Sequence, residues 1–146
     1  MSSIETAIEL AAIQHAGATD KAGAPYIFHP LRVMFTVSTP FEKMAAVLHD
    51  VVEDTDLTLN DLQEMNFPNK VVEAVDALTK RDGETRLDAA KRAAKNKIAL
   101  VVKLADIKDN MDLSRIHKPT DRDYSRLDEY QQVKKYLESR TTIKPV

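Results

Sequence analysis

The chain has 146 residues, 43% of them hydrophobic and 30% charged, with a formal net charge of −2 at pH 7. That length suits one domain over residues 1–146 with a core of its own, and the charge balance offers no general attraction for nucleic acid. With no cysteine, disulfides, thiolate metal sites and a cysteine nucleophile are excluded, so any metal must be held by nitrogen and oxygen.

Helical periodicity runs along almost the whole chain. Ile4, Ala7, Ile8, Ala11 and Ala12 fall on the three-and-four spacing behind a Ser2/Glu5 capping box. From Gly17 to Pro30 the chain carries two of its three glycines and two of its six prolines, so the first half of this stretch reads as a loop. A short helix is expected from about Pro30 to Val37, with proline at its start, where a missing amide does no harm. After Pro40, Phe41 to Val51 reads as the next helix, running into the acidic group Asp50, Glu53, Asp54 and Asp56.

Thr58 with Asp61, Thr85 with Asp88, and Thr120 with Asp123 each place an N-cap three residues before a carboxylate. They predict helices over 59–66, 86–95 and 121–139. Asn69 to Lys80, and Lys97 to about Leu113, are periodic between them. Ile98 to Val102 is β-branched enough to suggest a strand, but no partner strand exists elsewhere, so a buried helix is the better reading. The expected fold is all-α, a single-domain bundle of about seven or eight helices, with a frayed tail over 141–146. No apolar stretch reaches the roughly 20 residues of a membrane helix, and the start Ser2-Ser3-Ile4-Glu5 lacks the basic and apolar regions of a signal peptide. A cytoplasmic protein with no membrane partner is expected, and a homo-oligomer is left open.

Two of the four histidines sit where a metal site makes sense of them. His29, the pair His49-Asp50, and Asp106 bring two imidazoles and two carboxylates from three segments. Each has an ordinary alternative: a capping histidine, a histidine at a helix C-terminus, an exposed acid. Asp106 closes the apolar run Val101-Val102-Lys103-Leu104-Ala105, where a carboxylate is costly unless paired or ligated. Glu53 and Asp54 lie four residues past His49 and Asp50 and so stay on the same helical face. A metal with carboxylates beside it is the equipment of a hydrolase. For an anionic substrate the nearby cations are Lys21, Arg32, Lys103, Lys108 and Arg115. Lys103 and Lys108 cannot both face Asp106 on one helix, and Lys103 has the better spacing. Arg32 and Arg115 serve equally well as surface residues, His15 as a C-terminal histidine near the pocket, and Lys91, Arg92, Lys95 and Lys97 as a solvated basic face.

An ordered set of these segments resembles the HD superfamily of metal-dependent phosphohydrolases, and within it the RelA/SpoT-type (p)ppGpp hydrolase domain found alone in small alarmone hydrolases. The set is His15-Ala16-Gly17, Lys21 to Leu31, Leu48-His49-Asp50-Val51-Val52-Glu53-Asp54-Thr55, Leu78-Thr79-Lys80, and Lys103-Leu104-Ala105-Asp106 with Asn110-Met111, spanning roughly residues 7 to 113. The resemblance implies one divalent ion, manganese, on His29, His49, Asp50 and Asp106, with Glu53 and Asp54 as catalytic acids. It implies nucleotide contacts from Lys21 and Asn110, with Tyr26 lining the same pocket, and removal of pyrophosphate from the 3′ position of (p)ppGpp; Lys103 is added by its spacing to Asp106 alone. Two stretches differ from the family pattern. Asp20 stands where the family usually has arginine, and Ile107-Lys108-Asp109 where it usually reads Arg-Leu-His. Another nucleotide or phosphate ester, or a nucleotide-sensing module without turnover, are the alternatives.

Overall fold

The computed structural model describes residues 1–141, and among these the chain is all helical. Nine helices follow one another: α1 (Ile4–Gln14), α2 (Phe28–Thr36), α3 (Pro40–Leu48), α4 (Val51–Asp54), α5 (Leu59–Glu64), α6 (Asn69–Leu78), α7 (Arg86–Ala93), α8 (Lys97–Asn110) and α9 (Asp121–Arg140). The element beyond the expected seven or eight is the single turn α4, formed by the start of the acidic run itself. Apart from Thr141, the tail expected to fray lies outside the described residues.

Local hydrogen bonding explains most of the helix starts. Thr58, Thr85 and Thr120 each accept from the amide three residues on, while the aspartate there accepts from the threonine amide. Two orphan donors are thereby satisfied at each start. Thr39 and Glu42 form a further such box, with Pro40 at the first position of α3. At α1 the cap is Ser3 rather than Ser2, accepting from the Thr6 amide. Ser2 is drawn away because its hydroxyl donates to the Met65 carbonyl at 2.5 Å and its amide to Asn66 at 2.9 Å. Asn66 ends α5 in the left-handed conformation, φ 63°, where asparagine is tolerated and carbonyls of the last turn find partners.

Helix α3 is central, packing on α1, α2, α6 and α8. Its residues Met44 to Leu48 are all buried, so the main core forms around it, with Ala7, Val33, Val71, Val75 and Val102 among its members. The Ile98–Val102 stretch is the first half of α8, helical as expected, but only Ala99 and Val102 in it are buried and Val101 is exposed. A second cluster, Ile107, Tyr130, Val133 and Leu137 with Ala90, docks α9 onto α7 and α8. On α8 the buried stripe is Ala99, Val102, Asp106. The same three-then-four spacing that seats the first two in the core delivers Asp106 to its edge. Val33 one turn after His29, and Val51 two residues after His49, are fully buried and pin the histidine segments to that core.

Arg92 departs from the solvated basic face expected of its helix. Its guanidinium donates to the Ala77 and Thr79 carbonyls at 2.9 and 2.7 Å and pairs with Glu84. It therefore closes the C-terminus of α6, which explains a partly buried arginine on α7.

Candidate metal centre

His29 on α2, His49 at the end of α3, Asp50 before α4 and Asp106 on α8 meet at one point. Each of the four is buried or nearly so. One ligand atom from each of His29, His49 and Asp50 lies within 4.8 Å of the others. Asp106 Oδ1 faces both imidazoles, 2.8 Å from His29 Nε2 and 3.3 Å from His49 Nε2. Asp50 Oδ2 is 3.0 Å from His49 Nε2 and 3.8 Å from His29 Nε2.

The donor set fits a divalent ion on its own chemistry. Both histidines present Nε2 to the centre, and both have Nδ1 engaged on the far side. His49 Nδ1 donates to the Ala46 carbonyl at 2.5 Å, and His29 Nδ1 to Asp109 Oδ2 at 2.6 Å. Fixing one ring nitrogen as a donor leaves the other to ligate, the arrangement usual behind metal-bound histidine. The carboxylates are likewise held. Tyr26 donates its hydroxyl to Asp50, while Lys103 and Asn110 each reach Asp106 at 3.2 Å.

The surrounding carboxylates favour charged imidazoles at this centre. Burial works against charge on His29, but its hydrogen bonds to Asp106 and Asp109 prevail and carry it up to about 9. His49, more deeply buried, is also raised well above the ordinary value, by Asp50 and Asp106. Burial would likewise raise the carboxylates, yet His49 holds Asp50 below its usual range, and Lys103 with His49 holds Asp106 well below. Asp54 goes the other way. Although the residue is exposed, a partial loss of water contact, and then the Asp50 and Glu53 carboxylates, push it up to about 6. Glu53, exposed on the same turn, accepts from the Lys80 amide at 2.8 Å.

Beside the centre lies a cavity of about 270 Å³, lined by Lys21, Tyr26, His29, Arg32, Asn110, Arg115, Arg126 and Tyr130, with Asp20, Asp112 and Asp123 among its acids. Lys21 sits 3.6 Å from Asp123 on α9. Of the four residues expected at the substrate, Lys21, Tyr26 and Asn110 line this cavity, and Tyr26, Lys103 and Asn110 also grip the carboxylates of the centre. Asp20 does not stand free on the wall. Its Oδ1 accepts from the Ala22 and Ala24 amides at 2.9 and 3.0 Å, folding the loop around Gly23, whose φ of 86° suits glycine. His15 is buried against Tyr26, ring centroids 5.0 Å apart, and its Nε2 finds no hydrogen-bond partner among the described residues.

The sequence reading missed Asp109 behind His29, and it missed Arg126 and Tyr130, which α9 brings to the cavity. Arg32 and Arg115, left open as surface residues, both bind Asp109. Only the placement of Asp109 three residues past Asp106, on a neighbouring face of α8, could have hinted at it.

A His, a His-Asp pair and a distant Asp converging in an all-helical bundle define an HD-type domain. No family model matches the chain. It is 38% identical over 128 residues to a GTP pyrophosphokinase of Streptomyces coelicolor, covering 79% of this chain and 15% of that protein. It is 37% identical over 112 residues to a guanosine-3′,5′-bis(diphosphate) 3′-pyrophosphohydrolase of Vibrio cholerae, covering 66% and 16%. The bifunctional (p)ppGpp synthase/hydrolase SpoT of Escherichia coli is 34% identical over 112 residues, again covering 66% and 16%. The chain thus spans only a small part of the length of these curated relatives. Among solved structures, a metazoan ortholog of SpoT that hydrolyzes ppGpp superposes with a TM-score of 0.76 at 27% identity, covering 96% of this chain and 85% of that one. The chain belongs to the RelA/SpoT-type family of HD domains.

Proposed function

We propose that this chain is a metal-dependent hydrolase that takes (p)ppGpp and water to GDP or GTP and pyrophosphate, cleaving at the 3′ position. The observation that carries it is the convergence of His29, His49, Asp50 and Asp106 beside a cavity lined with four cationic side chains, Lys21, Arg32, Arg115 and Arg126. The relatives' activity on this nucleotide supports the substrate.

A divalent ion held by these four residues supplies Lewis acidity and an activated water; we assign manganese, the donor set suiting zinc, iron or cobalt as well. Tyr26, Lys103 and Asn110 keep Asp50 and Asp106 aimed at the centre. Asp54, titrating near 6, takes or gives a proton at working pH, as a general acid/base requires. Glu53 is oriented beside it by the Lys80 amide. Lys21, from the loop before α2, and Arg126, on α9, both line the cavity and hold the anionic ends of the nucleotide. Beside its four cations the lining carries four acids, Asp20, Asp109, Asp112 and Asp123, so an anionic substrate meets individual cations rather than a net positive wall. The compartment we assign is the cytoplasm.

A second reading, hydrolysis of another nucleotide or phosphate ester, rests on Asp20. With its side chain spent on the loop, the cavity lacks the guanidinium that the family usually places there. The discriminating assay incubates purified protein with ppGpp, in manganese and in chelator, and resolves nucleotide and pyrophosphate chromatographically. Manganese-dependent GDP and pyrophosphate, lost in His49→Ala, is the expected outcome. In Glu53→Gln and Asp54→Asn, turnover should fall while metal stays bound. Bound metal with ppGpp and pppGpp left intact would move the substrate to the second reading.

A further inference from the structure

Asp109 is three residues past Asp106 on α8, and only 14% of its side chain is exposed. Three groups from two parts of the chain, α2 and the segment after α8, converge on its carboxylate. His29 Nδ1 donates to Oδ2 at 2.6 Å. Arg32 grips both oxygens, Nε to Oδ1 at 2.8 Å and Nη2 to Oδ2 at 3.1 Å. Arg115, from the segment after α8, brings Nη2 within 3.6 Å of Oδ2 and donates to the Asp109 backbone carbonyl at 3.2 Å. A carboxylate pinned from two sides by guanidiniums is a fixed acceptor, since neither oxygen can swing away without breaking a charge-assisted hydrogen bond.

The two histidines of the centre are therefore oriented by different means. His49 leans on the Ala46 carbonyl of its own helix, a partner that forms whenever α3 forms. His29 has no such backbone partner and depends on a side chain 80 residues away. With Nδ1 on Asp109, its Nε2 points at Asp106 and Asp50.

We propose that Asp109 is a positioning residue that fixes His29 as a metal ligand, with Arg32 and Arg115 holding the Asp109 carboxylate in place. The inference rests on the metal reading of His29, His49, Asp50 and Asp106. An anionic acceptor behind Nδ1 selects the ring tautomer, restricts its rotation and makes Nε2 a stronger donor. Because Arg32 and Arg115 also line the substrate cavity, the same cluster ties the cavity wall to the ligand.

The test titrates manganese alone into chelator-treated protein by calorimetry, with thermal melts run with and without the ion. Asp109→Ala is expected to weaken the manganese Kd by about 10–100-fold, and Asp109→Asn by less, because an amide oxygen still accepts from Nδ1. The rise in Tm that manganese produces should shrink in the same order; a purely structural role would move the metal-free Tm and leave that rise alone. Arg32→Gln, which leaves Asp109 in place and only loosens its grip, is expected to weaken the Kd in the same direction and serves if Asp109→Ala does not fold. Wild-type Kd in Asp109→Asn and Arg32→Gln, with wild-type protein binding manganese normally, would overturn the positioning role alone. Absence of manganese binding in the wild type would overturn the metal reading and this role with it.

Discussion

Metal loading of this centre should release protons, and the structure sets how strongly. In the metal-free protein His29 titrates near 9 and His49 well above its ordinary value, so both imidazoles are charged at pH 7. An ion must take the place of those protons. At His29 alone, the interval from pH 7 to about 9 corresponds to about 100-fold weaker apparent affinity, or about 2.7 kcal/mol. With both histidines deprotonating, the Kd should tighten by up to ~100-fold for each pH unit gained near neutrality. The assay is calorimetric titration of manganese at pH 7 in two buffers of different protonation enthalpy, whose difference in heat counts the protons released, about two. The same shifts set a stability trend. Folded-state values raised above the unfolded ones contribute stability that is fully present below about 6.5. That stability is lost as pH rises through about 9. The melting temperature of the chelated protein should therefore fall across this window. Identical heats in the two buffers, together with a Kd that is flat from pH 7 to 9, would show the histidines to be neutral and refute the reasoning.

Three further outcomes follow from particular contacts. Glu84 is held down to about 2, first by its hydrogen bonds from Arg92 and then by the Arg81 amide. The stability it contributes is present above its unfolded value of 4.5 and lost as pH falls toward 2; acid melts of Glu84→Gln should show a shallower loss than wild type over that interval. Leu137 is fully buried in the cluster that seats α9, so Leu137→Ala should cost about 2–5 kcal/mol in urea unfolding. Because α9 carries Arg126 and Tyr130, KM for ppGpp should rise more than kcat falls. Asp20→Ala removes the acceptor of two loop amides and should lower stability by about 1–2 kcal/mol, whereas Asp20→Asn, which keeps an oxygen there, should stay near wild type by the same thermal melt.

Helix starts were legible in the residues because their causes are local. Thr58, Thr85 and Thr120 need only an aspartate three positions on to complete a box, and each box forms as the residues predict. The convergence of His29, His49, Asp50 and Asp106 was legible for a different reason. A buried Asp106 in an apolar run, and a His-Asp pair closing another, demand a common partner. The nearby misreadings were made by tertiary competition. Ser2 lost its cap to the Met65 carbonyl 63 residues away, and Arg92 left solvent for the open end of α6. Asp109, Arg32 and Arg115 had no periodicity or motif to mark them, since His29 and Asp109 meet across 80 residues. The same holds for Arg126 and Tyr130, which reach the cavity only because Val133 and Leu137 dock α9 on α7 and α8. Composition, capping and hydrophobic spacing determined that the chain is a helical bundle carrying His29, His49, Asp50 and Asp106 on its inner faces, because hydrogen bonds within a turn and apolar stripes act over a few residues. The closing of the metal centre, and which side chains stand behind and beside it, were decided by helix packing alone, because ion pairs and outer hydrogen bonds depend on distances in space that the order of residues does not contain.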